Sequence, residues 1–136
     1  VGCGFGRNLN FLKTSRIKAQ LFGVDFNYLF LKLISNIPLV QADVSHLPFA
    51  DSSIDLTFTH GLLMHVKPHA IHQAMGELIR VTQKTLILIE EVRPQNRQIN
   101  YFTFAHDYKR ILRQFPVKII SSHANSRQLI RLLIKP

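Results

Sequence analysis

The chain has 136 residues, 17 Lys and Arg against 8 Asp and Glu, and a formal charge of +9 with histidine neutral. That length holds one domain and leaves little for a second, 46% hydrophobic residues exclude wholesale disorder, and no apolar run approaches the ~20 residues of a membrane-spanning helix. The single cysteine, Cys3, excludes an internal disulfide and a cysteine-based zinc site, and it fits a reducing, cytoplasmic location.

The chain opens on a glycine-rich loop, Val1-Gly2-Cys3-Gly4-Phe5-Gly6, with neither an initiator methionine nor a basic-then-apolar signal segment. Such a loop normally follows a strand. The expectation is therefore a single domain over residues 1–136, truncated at its amino terminus, with its first strand largely missing. Residues 7–16 carry Leu9, Phe11 and Leu12 between polar positions and predict a helix. Residues 19–24 predict a strand ending at Asp25, residues 28–34 a helix, and residues 39–42 a strand ending near Asp43. Residues 47–53 are rich in turn formers, and 54–59 form the next strand. Residues 69–83 place Ile71, Met75, Leu78, Ile79 and Val81 near helical spacing. Residues 85–89 read as a buried strand.

Residues 101–115 predict a helix stopped by Pro116. Two final strands, 117–121 and 129–134, are joined too closely for a crossover helix, so they should pair antiparallel. The alternation before them predicts an α/β fold, a Rossmann-like and mostly parallel sheet with helices on both faces.

Charge is unevenly placed. Residues 1–92 hold 8 basic and 7 acidic residues, whereas 93–136 hold 9 basic residues and one acid, Asp107. That excess suits a solvated face, or attraction to an anionic acceptor or a nucleic acid. Few aromatics interleave with it beyond Tyr101, Phe102, Phe104 and Tyr108, so a stacking platform for single strands is not specifically indicated.

The loop's glycines let backbone turn tightly and approach a ligand. The Gly-x-Gly-x-x-Gly dinucleotide pattern is not met, because Arg7 stands at its third glycine. Asp25 follows Gly6 by 19 residues at a strand end, where a carboxylate is expected to accept from both hydroxyls of a ribose. Asp43 repeats the placement one strand later. It can accept from an adenine amino group while the Val44 N–H donates to the ring. Both acids have a second reading as turn or cap residues.

His60 ends the next strand and is the candidate general base, with an unperturbed pKa near 6.5. Its other reading is a positioning or merely exposed histidine. His65 reads as structural. His69 and His72 share a helix face, yet no neighbouring carboxylate or thiol completes a metal set, so no metal site is expected. Cys3 reads as a small packing residue.

Together these segments resemble the class I S-adenosylmethionine-dependent methyltransferases, over the whole chain. Residues 1–6 look like that family's first motif, and Gly23-Val24-Asp25 like its ribose-binding strand end. Ala42-Asp43-Val44, Leu47-Pro48-Phe49 and Ser53-Ile54-Asp55-Leu56 look like its third-strand and fourth-strand motifs, with residues 58–66 like the segment that follows. The resemblance implies S-adenosylmethionine as cofactor, held by Gly2, Cys3, Gly4, Gly6, Asp25, Phe26, Asp43, Val44 and His60, and a small-molecule acceptor, anionic or of sugar type. The family often has a Pro-Gly-Gly turn before its fifth strand. Here the joint is the shorter Arg80-Val81-Thr82-Gln83-Lys84-Thr85. That joint and residues 90–94 are similar to methylases associated with pseudaminic acid and other surface-sugar biosynthesis. Two rival readings remain: a nicotinamide-dependent oxidoreductase, opposed by Arg7 and the antiparallel ending, and a non-catalytic nucleic-acid-binding module, suggested by the basic tail alone.

Overall fold

The computed structural model describes residues 1–15, 18–90, 97–124 and 128–133, with the backbone alone for 97, 98, 121–124 and 128–133. Among these residues the elements run α1 (Arg7–Thr14), β1 (Gly23–Asp25), α2 (Tyr28–Leu31), β2 (Leu39–Gln41), β3 (Ile54–His60), a single 3-10 turn (Leu63–His65), α3 (Ile71–Val81), β4 (Thr82–Glu90), β5 (Arg97–Asn100), β6 (Thr103–Ala105), α4 (Tyr108–Leu112), β7 (Lys118–Ala124) and β8 (Gln128–Leu133).

β1 pairs with β2 in parallel, and β3 with β4 in parallel. β8 then joins β4 antiparallel and β7 joins β8 antiparallel, in the order β3-β4-β8-β7. Residues 1–3 run between the two sheets. The Val1 nitrogen donates to Phe58 O at 2.8 Å on one side, and Cys3 N donates to Val24 O at 2.9 Å on the other. Beyond Val1, an apolar groove of about 560 Å³ separates Leu21, Phe22 and Val24 from Ile54, Leu56 and Phe58. The arrangement is the expected Rossmann-like α/β fold closed by an antiparallel pair.

The core follows from helical spacing. α3 buries Ile71, Ala74, Met75, Leu78 and Val81, which fall on one face at three- and four-residue intervals. They pack with Val24, Val44, Leu86 and Leu88 from the strand regions, and with Tyr108, Ile111 and Leu112 of α4. α3 passes into β4 with no loop. Thr82 Oγ1 donates to Leu78 O at 2.5 Å and meets the Thr57 hydroxyl at 2.8 Å, so one side chain caps the helix end and ties it to β3.

Arg80, in the last turn of α3, fixes the turn over residues 47–53. Its guanidinium donates to Leu47 O at 2.9 Å, Phe49 O at 2.8 Å, Asp51 Oδ1 at 2.7 Å and both oxygens of Glu77. Glu77 Oε2 in turn accepts from Leu47 N at 2.7 Å.

Two expectations are corrected. The helix expected over 101–115 is instead the hairpin β5–β6 followed by the short α4. Asn100 Oδ1 accepts from Phe102 N at 3.0 Å and makes a turn there. Thr103 and Ala105 are buried on either side of a half-buried Phe104, a period-2 pattern, and Asp107 caps α4 by accepting from Arg110 N at 3.0 Å. The second helix is also shorter than expected. α2 stops at Leu31, and Asn36 takes a positive φ of 60° before β2.

Candidate active site

The glycine loop turns through three left-handed residues, with φ of 69° at Gly2, 52° at Gly4 and 87° at Gly6. A Cβ on Gly2 would stand 2.8 Å from Leu62 Cβ, and one on Gly6 would stand 2.7 Å from Ile34 Cγ1. A Cβ on Gly4 would meet nothing within 4 Å. Packing as well as conformation thus reserves Gly2 and Gly6 for glycine, while Gly4 shows bare backbone to open space.

Asp25 ends β1 and reaches back to this loop. Its Oδ2 accepts from Gly4 N at 2.7 Å and its Oδ1 from Asn27 N at 2.8 Å. Asp43 follows β2. Its Oδ1 accepts from Ser45 N at 2.7 Å and also from the Ser45 hydroxyl. Those two bonds, the hydroxyl's first, hold the Asp43 carboxyl below the usual carboxylate range. Both acids therefore serve as turn caps. A carboxylate has roughly four acceptor directions, so each keeps acceptor capacity beyond its backbone bonds.

Gly2, Asp25, Phe26, Asp43 and Val44 line one cleft of about 660 Å³. The segment after β3 adds Leu62, His65, Val66, Lys67 and His69. Phe26 is 73% exposed although it lines the cleft, an aromatic face with little protein over it. Cys3, Gly4, Gly6 and His60 are not among the lining residues. Cys3 is half-buried, and burial followed by the Asp25 charge pushes its thiol up, which suits packing rather than nucleophilic chemistry.

His60 closes β3 at its carboxyl end, with Nδ1 3.2 Å from Asn8 Nδ2 in the first turn of α1. His65 Nδ1 donates to Phe102 O at 2.7 Å, and His106 Nε2 donates to Val66 O at 2.9 Å. These two bonds tie the β5–β6 hairpin and the residue after it to the segment lining the cleft. His72 stacks on Phe115 with ring centroids 4.7 Å apart. Among the described residues no group of three or more His, Cys, Asp or Glu is placed to hold a metal ion, and no helix is long and apolar enough to cross a membrane.

Two parts of the site were not read from the sequence. Lys67 lines the cleft, on a loop with no regular pattern to mark it. Glu90 ends β4 at 1% exposure, its Oε1 accepting from Leu62 N at 3.2 Å and its Oε2 from Leu63 N at 3.0 Å. Burial pushes the Glu90 carboxyl up to about 7, against the pull of the donors around it. The available signal was an acid closing an otherwise apolar strand, Thr85 to Ile89.

A family model described as a methyltransferase domain matches residues 1–89. The chain belongs to that family, within the class I S-adenosylmethionine-dependent methyltransferases. No curated protein matches the chain. Among solved structures, the PH0226 protein of Pyrococcus horikoshii superposes with a TM-score of 0.81 at 15% identity, over 98% of this chain and 79% of that one. A SAM-dependent methyltransferase of Aquifex aeolicus gives 0.76 at 14% identity, over 98% and 79%. The 1,6-didemethyltoxoflavin-N1-methyltransferase of Burkholderia thailandensis, solved with S-adenosylhomocysteine, gives 0.76 at 15% identity, over 98% and 68%. At these identities the likeness is one of fold.

Proposed function

We propose that this chain, acting as a single domain, binds S-adenosylmethionine in the 660 Å³ cleft and methylates a small acceptor that is anionic or of sugar type. The observation that carries this reading is the meeting of Gly2, Asp25, Phe26, Asp43 and Val44 in one cleft, although they come from the glycine loop and two separate strand ends. Asp25 keeps acceptor capacity on each oxygen for the two ribose hydroxyls. Asp43 Oδ2 and the Val44 N–H are a matched acceptor and donor for an adenine edge. Phe26 offers a flat apolar face to the ring, and the open space at Gly4 leaves room for close approach. The S-adenosylhomocysteine held by the Burkholderia enzyme supports the same assignment.

The cofactor, when bound, supplies a methyl group already activated on a sulfonium. What remains for the protein is to bind, align and exclude water, and alignment alone is worth ~7–11 kcal/mol of barrier. His60 is the group to take a proton from the acceptor. In the structure the Asn8 amide donates to Nδ1, which puts the ring proton on Nε2. Proton acceptance at Nε2 requires the Asn8 amide turned to present its oxygen to Nδ1–H. Lys67, His65 and His69 bring positive or protonatable groups to the cleft, which supports an anionic acceptor. The basic excess of residues 93–136 points the same way, although Arg93 lies outside the described residues.

Calorimetry with S-adenosylhomocysteine and with NAD tests the reading. Binding of the first and not the second is expected. NAD binding alone would favour an oxidoreductase, and steeply salt-dependent RNA binding with no small-ligand heat would favour the nucleic-acid module.

A further inference from the structure

We propose that Glu90 is a positioning residue for the cofactor cleft, holding Leu62 against the glycine loop through the N–H groups it accepts. The proposal rests on the reading that this cleft takes the cofactor.

The geometry begins with a ladder that runs out. β3 and β4 pair in parallel to His60, opposite Ile89, and Gly61 N then donates to Ile89 O at 2.9 Å. The next two N–H groups, of Leu62 and Leu63, stand at the start of the 3-10 turn, where helical backbone has no partner of its own. Glu90 supplies that partner with a side chain, one oxygen to each N–H. Leu63 is 0% exposed and Glu90 1% exposed, so water is poorly placed to substitute.

Leu62 carries the effect to the site. Its side chain fills the space where a Cβ on Gly2 would fall, 2.8 Å from both its Cβ and its Cδ1. Leu62 and Gly2 both line the cleft. The path therefore runs from the end of β4, through two backbone bonds, to the contact that sets one wall of the cleft against the glycine loop. Glu90 itself is not a cleft-lining residue, so it acts on the cleft through the backbone it holds.

The test uses the whole chain at pH 8. Glu90→Gln keeps the side chain's size, but its amide offers one acceptor oxygen to two N–H groups and sets an NH2 against the other. Affinity for S-adenosylhomocysteine should fall about tenfold or more, the scale of a lost charge-assisted bond. The variant should fold with an undiminished melting temperature, and the Leu62 and Leu63 amides should exchange faster with solvent. Leu62→Ala and the double variant complete a cycle. If Glu90 acts through Leu62, the double variant binds no more weakly than the weaker single variant.

Wild-type affinity in Glu90→Gln, or simply additive losses in the double variant, would overturn the proposal. So would a Glu90→Gln chain that does not fold, because Glu90 would then serve stability alone. A wild-type chain that takes no S-adenosylhomocysteine overturns the cofactor reading itself, a result seen before any variant is made.

Discussion

Asp25 Oδ2 accepts the N–H of Gly4 across a 2.7 Å bond, so the acid at the end of β1 and the second glycine of the loop form one unit. The spacing from Gly6 points to a ribose-facing acid, with a turn or cap residue as its second reading. The bond adds that Asp25 also holds the loop in its left-handed turn. Asp25→Ala should weaken S-adenosylhomocysteine binding by roughly 1.5–3 kcal/mol, as for other charge-assisted bonds. It should also lower the melting temperature, since two backbone N–H groups lose their acceptor. Asp25→Asn keeps one acceptor oxygen and should recover part of the stability with less of the affinity. Calorimetry and thermal melts on the two variants separate these effects, and unchanged affinity in folded Asp25→Ala would remove Asp25 from the site.

Most of the sheet was legible because strand and helix periods differ. The runs ending at Asp25, Asp43 and His60 are short and bounded by turn residues; Asp25 and His60 close β1 and β3, and Asp43 lies two residues past β2, although residues 19–22 of the first run are not strand. Period alone failed over 101–115, where Asn100, Thr103 and Asp107 act through local hydrogen bonds that a helical count does not register. The joint at residues 80–85 was seen to be short. That it has no loop at all depends on the Thr82 hydroxyl, which serves helix and strand together. That Gly2, Asp25, Phe26, Asp43 and Val44 share one cleft was legible in the same way, by position. Glu90 was not, because its role lies in two N–H groups from residues 27 and 28 positions away.

The buried Glu90 makes folding pH-dependent. Its carboxyl rises from an ordinary 4.5 to about 7 on folding. Below 4.5 both states are protonated and its contribution is fully present. As pH rises toward 7, the unfolded chain releases the proton while the folded chain keeps it, and stability falls. Above 7 the loss is complete, at ~3 kcal/mol. The melting temperature of wild type relative to Glu90→Gln should therefore fall by roughly 10 °C between pH 4.5 and 7.5. A difference that stays flat across this range would mean that Glu90 keeps an ordinary carboxyl.

Arg80 gathers Glu77, Asp51 and two carbonyls around the turn that precedes β3. The fork geometry matters more than the charge, since four partners are met from one planar group. Arg80→Lys should cost nearly as much as Arg80→Ala, about 2 kcal/mol after allowing for solvent around a side chain 31% exposed. Denaturant unfolding checks this. A lysine variant as stable as wild type would show that one ammonium contact suffices.

The three loop glycines should separate stability from binding. Gly6→Ala pays for φ 87° and for a Cβ 2.7 Å from Ile34, a core side chain. The conformational cost is about 1–2 kcal/mol and the overpacking about 1–3 more, so this variant should unfold readily. Gly2→Ala meets Leu62 at 2.8 Å and should lose both stability and affinity, because Leu62 lines the cleft. Gly4→Ala carries only the conformational cost, with nothing within 4 Å of its new methyl. If that open space is where the cofactor approaches, Gly4→Ala should stay folded and yet bind S-adenosylhomocysteine at least tenfold more weakly. Thermal melts and calorimetry on the three variants give the order directly. A folded Gly4→Ala chain with wild-type affinity would place the cofactor away from the middle of the loop, and would leave Asp25 holding that turn for the sake of the fold alone.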